Sequence, residues 1–421
     1  MQRREFLKSL GLAGGAMTGL TTAGGGLRIR SAQASDDVAS RAPAASASRK
    51  AMEALLETIR EVESTMLTPE RGFSDAAELA EAERALAHIL QTGLEFWLEA
   101  DPDRPAFRPY VTPTRKLLGC NPDSVYYFAP IRDDRSYRIR GNVGAAVFTS
   151  FTIERGSHEG HAARGSIAAI SDMDMQIDRN GNYEILVSRT KPGKGDWLPL
   201  SDGASQITTR HYHEARQSVA ALPGPVVRVE IDALDPDPLG PWGGDAESAA
   251  HLEWVRNFVR EHSAMTFRKT TPEMAKRLGW VSLVPNRFGD PGQWKSASGE
   301  IAYGNDHAWY NSAYYELEPD EALIMSGRFP ECRFANVVLW NSFMQSYDYA
   351  HRQISLNREQ IEYEEDGSFR IVIAHEDPGI PNWLDTEGRR RGNVYWRYVF
   401  PVSPPERPNA EVVKLSKIPG R

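Results

Sequence analysis

The chain has 421 residues, 41% hydrophobic and 25% charged, and a formal net charge of −8. These are ordinary globular statistics, with length enough for two hydrophobic cores rather than one. The acidic balance repels phosphate backbones and anionic bilayers, which sets nucleic acid and membrane surfaces aside as partners and favours small or neutral ligands.

At the N-terminus, Arg3-Arg4-Glu5-Phe6-Leu7-Lys8 precedes a weakly apolar stretch, Ser9 to Leu27, and then Ala32-Gln33-Ala34. That order is a signal peptide over residues 1–34, and the paired arginines followed by Phe-Leu-Lys resemble the twin-arginine (Tat) export consensus. Seven glycines between Ser9 and Leu27 make the stretch too polar and flexible for a stable membrane span. Passage through the Tat translocon to the periplasm or medium is expected. Its removal takes away five basic residues and one acidic residue and leaves a charge of about −12. Residues 35–49 carry Ala, Ser and charge without period and read as a disordered tether.

Met52, Leu55, Leu56 and Ile59 recur at helical spacing, and Ser74-Asp75 opens a second run with Leu79, Ala82, Leu86, Ile89, Leu90 and Leu94. They predict a helical hairpin over residues 50–105. Beyond Pro105 the texture changes to short alternating segments rich in Tyr, Val, Ile and Thr, which predict strands. A first β-sandwich module is assigned to 106–235. Leu252, Val255, Phe258 and Val259 share a helix face, and Thr271-Pro272-Glu273 opens another helix that stops at Gly279, so 236–290 is a helical linker. A second β-sandwich module takes 291–421.

Two modules rather than one long sheet follow from a self-comparison. Gly141, Phe148, Gly181, Pro192, Gly193, Trp197 and Leu198 recur at Gly327, Phe334, Gly367, Pro378, Gly379, Trp383 and Leu384, always 186 residues on. Conservative pairs such as Tyr183 with Phe369 and Asp178 with Glu364 keep the register. Seven identities at one ungapped offset mark a duplication. Each copy alternates apolar and polar residues after an Asn-Gly or Asp-Gly turn, a β-hairpin signal. The fold class is therefore mainly β with α additions: two tandem antiparallel sandwiches or jelly rolls.

The segment Phe107-Arg108-Pro109-Tyr110 through Thr114-Arg115-Lys116, then Asn121-Pro122-Asp123-Ser124-Val125-Tyr126-Tyr127, resembles the bacterial family called domain of unknown function 1214. So do Asp366-Gly367-Ser368-Phe369, Pro378-Gly379, Asn382-Trp383-Leu384 and the closing Tyr395-Trp396-Arg397. The resemblance covers most of the mature chain and implies a jelly-roll sandwich with appended helices. It supplies no catalytic residues. The Trp motif departs from the family's usual ending in the second copy, where Asp385 follows Leu384; Pro199 follows Leu198 in the first.

Residues kept in both copies are explained by shared architecture, so Trp197 and Trp383 are candidate ligand-binding residues whose competing reading is a cap on each sandwich core. Asp172, Asp174, Asp178 and Asn180 lack the register of a calcium loop. Four histidines are confined to the first copy. His211 and His213, two apart on a strand, share a face, and His158 or His161 could complete a divalent metal site of the His-x-His kind. The competing reading places all four on the surface. Asn121, Asp123, Tyr126 and Tyr127 form either a rigid turn or the rim of a polar aromatic pocket. Cys120 and Cys332 are expected as free thiols, with one late disulfide left open. No nucleophile elbow, dinucleotide fingerprint or P-loop is present.

The expected function is an exported enzyme acting on a small organic or carbohydrate-like substrate in a cleft at the two β modules, with Asp123, Glu154 or Asp174 as acid–base carboxylates. The alternative is a non-catalytic protein that binds a ligand or an envelope partner.

Overall fold

The computed structural model describes residues 46–418 except 72, 74, 225, 242, 295–302 and 305–306. The expected signal peptide and tether residues 35–45 lie outside the described residues. The chain enters on helix α1 (Ala47–Met66), whose N-cap Ser46 accepts from the Arg49 amide. Asp245, 198 residues downstream, accepts from the Ala47 amide at 2.7 Å and from the Ser48 amide at 3.0 Å. These bonds satisfy orphan donors of the first turn, so the helix starts inside the segment read as tether. Asp75 caps α2 (Ala76–Trp97) by accepting from the Ala77 and Glu78 amides.

The two helices do not form a hairpin in the packing sense. Each lies chiefly against α3 (Gly244–Thr266), the helix read as linker. Leu55, Val62, Ile89, Phe96, Val255, Phe258 and Val259 share one buried cluster. Of the faces read from sequence, Leu55, Ala82, Leu86 and Ile89 are buried while Met52, Leu56 and Leu94 are exposed, and the partner of the buried residues is the helix from mid-chain.

Between α2 and α3 run β1 (Arg108–Pro109), β2 (Ser124–Pro130), β3 (Tyr137–Asn142), β4 (Phe148–Arg155), β5 (Gly165–Ser171), β6 (Asn182–Ser188), β7 (Asp196–Pro199), β8 (Ala204–Tyr212) and β9 (Arg228–Ala233). They make two sheets, β1-β2-β8-β4-β5 and β7-β6-β3-β9, packed through Ile139, Phe151, Ile153, Ile185, Val187 and Ile207. After α4 (Pro272–Leu278) follow β10 (Val281–Ser282), β11 (Gly292–Gln293), β12 (Ala308–Glu316), β13 (Glu321–Gly327), β14 (Phe334–Trp340), β15 (Ser355–Asn357), β16 (Phe369–Ala374), β17 (Trp383–Asp385), β18 (Arg391–Val399) and β19 (Asn409–Lys414). These give β10-β12-β18-β14-β15, with β11 on β12, and β17-β16-β13-β19. The protein is mainly β with helical additions, built as two tandem β modules.

Registers carry the duplication further than the ungapped comparison. Tyr137 faces Val187 on β3 and β6, and Leu323 faces Ile373 on β13 and β16, both shifted by 186. Phe148 faces Tyr212 and Phe334 faces Val399, so β8 and β18 differ by 187. Ser124 faces Tyr212 and Ala308 faces Val399, so β2 and β12 differ by 184. Loop lengths changed while strand pairing held.

Two recurrent features have a physical cause. Gly141 lies opposite Tyr183 and Gly327 opposite Phe369, and the ring occupies the space a side chain would fill. Trp197 Nε1 donates to the Ser188 carbonyl at 3.0 Å and Trp383 Nε1 to the Ala374 carbonyl at 3.1 Å, each nine residues back. The indoles pin β7 along β6 and β17 along β16 in parallel, a local departure from the antiparallel pairing expected.

A Cβ at Gly141 would overlap the Tyr183 hydroxyl and approach the Arg228 carbonyl to 2.6 Å, whereas at Gly327 it would come within 3.0 Å of Phe369 Cζ. Gly141→Ala is expected to cost about 1–3 kcal/mol in urea unfolding and Gly327→Ala less; equal costs would contradict the ring-over-glycine account.

Candidate functional site

Side chains alternate along a strand, so each large sheet has an inner face toward its own sandwich core and an outer face. On β8, Ile207, Thr209 and His211 turn inward and Thr208, Arg210 and Tyr212 outward; on β18, Val394, Trp396 and Tyr398 turn inward and Asn393, Tyr395 and Arg397 outward. The outer faces of the two modules meet. Phe148, Tyr212, Phe334 and Val399 close one part of the contact as a buried cluster, with Tyr212 and Phe334 ring centroids 4.8 Å apart.

Elsewhere the faces stand apart and enclose a cavity of about 950 Å³. Tyr126, Thr208, Arg210 and Tyr212 line it from the first module and Tyr310, Ser312, Tyr395 and Arg397 from the second, with Trp280, Trp294, Trp340, Tyr110 and Tyr303 around them. Tyr126 stands opposite Arg210 on β2 and β8, and Tyr310 opposite Arg397 on β12 and β18. Each module thus contributes the same cross-strand tyrosine–arginine pair.

The arginines are unusual in what they lack. Arg397 is 5% exposed, its guanidinium carbon lies 5.2 Å from the Tyr395 ring centre and 5.9 Å from that of Tyr310, and its Nη1 has no hydrogen-bond partner. Arg210 is 4% exposed and donates from Nη1 to Thr152 Oγ1 at 3.0 Å. Among the described residues neither forms an ion pair. Other part-buried arginines do, as Arg358 with Glu214 at 2.7 Å and Arg333 with Asp172 at 2.8 Å.

Of the ten candidates read from the sequence, only Tyr126 lines this cavity. Tyr127, one residue on, turns into the first sandwich beside Phe107 and His211. Asn121 and Asp123 are buried in the joint between modules, where Asn336 Nδ2 donates to Asn121 Oδ1 at 2.7 Å and to Asp123 Oδ2 at 2.8 Å, and Asn357 Nδ2 to Asp123 Oδ1 at 3.0 Å. Burial raises the Asp123 carboxyl to about 6 against the opposing pull of the two asparagine amides. Trp197 and Trp383 do not line the cavity; their indole N–H groups are spent on the strand carbonyls described above.

The metal reading is corrected. Among the described residues no three His, Cys, Asp or Glu side chains gather as a metal site. β8 is the central strand of its sheet, so His211 and His213 are buried rather than on an edge. His211 lies with Nδ1 3.2 Å from Thr149 Oγ1 and Nε2 3.0 Å from Thr209 Oγ1. His161 Nδ1 lies 2.6 Å from Glu261 Oε1 on α3, and His158 is exposed on a single 3-10 turn. Cys120 and Cys332 are both free thiols; Cys120 is buried at the cavity wall, 2.9 Å from Ser346 Oγ. The Arg389-Arg390-Arg391 run is held by Glu81, Glu387, Glu318 and Glu316.

Arg210 and Arg397 were missed as site residues because they differ by 187, outside the ungapped frame. A signal did exist: Tyr395-Trp396-Arg397-Tyr398 places an arginine within an otherwise aromatic strand.

Fold and cavity together define a two-module β protein with a chamber of small-molecule size between its modules. The family model described as "Protein of unknown function (DUF1214)" matches residues 129–216 and 328–402, one stretch in each module. The crystal structure of an uncharacterised protein from Burkholderia cenocepacia is similar over 88% of this chain and 98% of its own, with a TM-score of 0.73 at 24% identity, which shows the shared fold. A protein from Vibrio parahaemolyticus aligns over 79% of this chain and 98% of its own, with a TM-score of 0.46 at 13% identity. No curated protein matches the chain.

Burial pushes the His211 imidazole down to about 3, with His213 adding to the shift. An unfolded imidazole titrates near 6.5, so below that pH the unfolded chain takes up a proton that the folded one refuses. The stability contributed is full above 6.5 and falls by about 1.4 kcal/mol per pH unit as pH drops toward 3. Asp123, raised to about 6, acts with the opposite sign, losing stability as pH rises through 6. In urea unfolding between pH 6 and pH 4, His211→Asn is expected to show a shallower loss of stability than the parent; an unchanged slope would contradict the buried neutral state.

Proposed function

We propose that the chamber between the two β modules is where this protein works, and that its work is to bind a small organic molecule. The observation that carries the reading is the chamber itself: about 950 Å³, walled by tyrosines and tryptophans from both modules and by two buried arginines. Concave, mostly apolar sites of several hundred Å³ with a few placed polar groups are the usual form of a small-molecule site. A chamber assembled from both copies also gives the duplication a use, since neither module alone encloses it.

Of the three carboxylates named as acid–base candidates, Glu154 is buried on β4 near Tyr110 and Tyr303, and the other two are withdrawn from the chamber. Asp123 is engaged by two asparagine amides in the joint, and Asp174 sits in an exposed turn away from the chamber. Aromatic faces suit a planar or apolar body, including a sugar ring. On this reading the leader segment delivers an already assembled two-module chamber across the membrane, and lysine at positions 3 and 4 together is expected to keep the protein inside the cell in a fractionation assay.

Ser312 lines the chamber from β12. The uncharged dye N-phenyl-1-naphthylamine is expected to bind saturably with enhanced fluorescence, and Ser312→Trp, which projects an indole into the chamber, to weaken it by about tenfold or more, about 1.4 kcal/mol. Trp197→Ala is expected to leave the affinity unchanged. Binding indifferent to Ser312→Trp, or lost in Trp197→Ala, would place the site elsewhere.

A further inference from the structure

Arg397 points to what kind of molecule the chamber takes. A guanidinium stays charged in any protein environment, and a buried ion without a partner is a standing cost that native structures avoid. Arg397 is 5% exposed, has no ion pair among the described residues, and leaves Nη1 without a hydrogen-bond partner at the chamber wall. Asp123 feels its charge, but both oxygens of that carboxylate are taken by Asn336 and Asn357.

Among the described residues, the groups around Arg397 do not supply the missing charge. Tyr126, Tyr212, Tyr310 and Tyr395 line the same chamber, and burial raises the Tyr126 and Tyr395 phenols further above their ordinary range. Those two phenols are neutral at physiological pH. Neutral phenols offer ring faces to a guanidinium and O–H groups to an anion, a combination that suits a bound acid. The first module repeats the arrangement with Tyr126 and Arg210, and Arg210 likewise has no ion pair among the described residues.

We infer that the ligand is an organic acid, whose anionic head docks on the Arg397 guanidinium where it lines the chamber and whose apolar body lies against the tyrosine and tryptophan walls. This rests on the chamber being the ligand site. The bound anion is the partner that the described residues do not provide: it pairs the guanidinium in a charge-assisted bond and is shielded from water by the aromatic rim. Arg210 provides positive potential from the opposite module.

The test uses two dyes with one skeleton, N-phenyl-1-naphthylamine and its sulfonated relative 1-anilinonaphthalene-8-sulfonate. The sulfonate is expected to bind the full mature chain at least about tenfold more tightly, and Arg397→Met to remove that preference while sparing the uncharged dye. Arg397→Lys, which keeps the charge without the fork, is expected to fall between them, and thermal melts without dye report that each variant is folded. An arm without any variant displaces the sulfonated dye with 1-naphthoate or with 1-naphthamide; the acid is expected to compete at least about tenfold better. Equal affinities for the two dyes, or equal competition by acid and amide, with Ser312→Trp still blocking the uncharged dye, would overturn the anion inference and leave the chamber as the site. Uncharged dye that ignores Ser312→Trp would overturn the chamber reading and this inference with it.

Discussion

Tyr212 against Phe334 is the contact on which the rest of the structure depends, because it joins the outer faces of two sheets that already have complete sandwich cores of their own. A sheet face buried on both sides must be apolar or have its polar groups answered. Here Phe148, Val399 and Ala308 answer the first condition at one end. Asp123 with Asn336 and Asn357 answers the second at the joint. What remains between the faces is space, and the polar side chains facing it are answered only in part.

The duplication separates scaffold from specialisation. Ring-over-glycine pairs and indole N–H bonds to strand carbonyls recur in both modules because each solves a local backbone problem inside one sandwich. The tyrosine–arginine pairs also recur, but on outer faces, where a single sandwich would gain little from them. The joint is not symmetric: Asp123 of the first module inserts between two asparagines of the second, while the matching position on the second module's approach is His307, stacked on Phe400.

Sequence made the modules legible because strand alternation, turn residues and a constant offset are local and additive signals. It located apolar helix faces without their partner, since α3 is nearly two hundred residues from α1 and only packing shows that it lies between α1 and α2. The site was legible at Tyr126 alone. His211 faces inward from a central strand, while His213 lies one residue beyond that strand's end and is buried there. Arg397 stood in plain view beside Trp396, yet its meaning is the absence of a counter-ion, and a missing contact leaves no mark in a sequence.

The central claim is that the buried Arg397 guanidinium awaits a ligand's anion rather than an internal partner. A crystal structure of the mature chain grown with 1-naphthoate tests it directly. The account predicts carboxylate density within hydrogen-bonding distance of the Arg397 guanidinium and the naphthalene ring against the aromatic wall, with Asp123 still held by Asn336 and Asn357. An Asp123 side chain swung onto Arg397, or naphthoate seated at the Trp197 or Trp383 turns with the chamber empty, would contradict it.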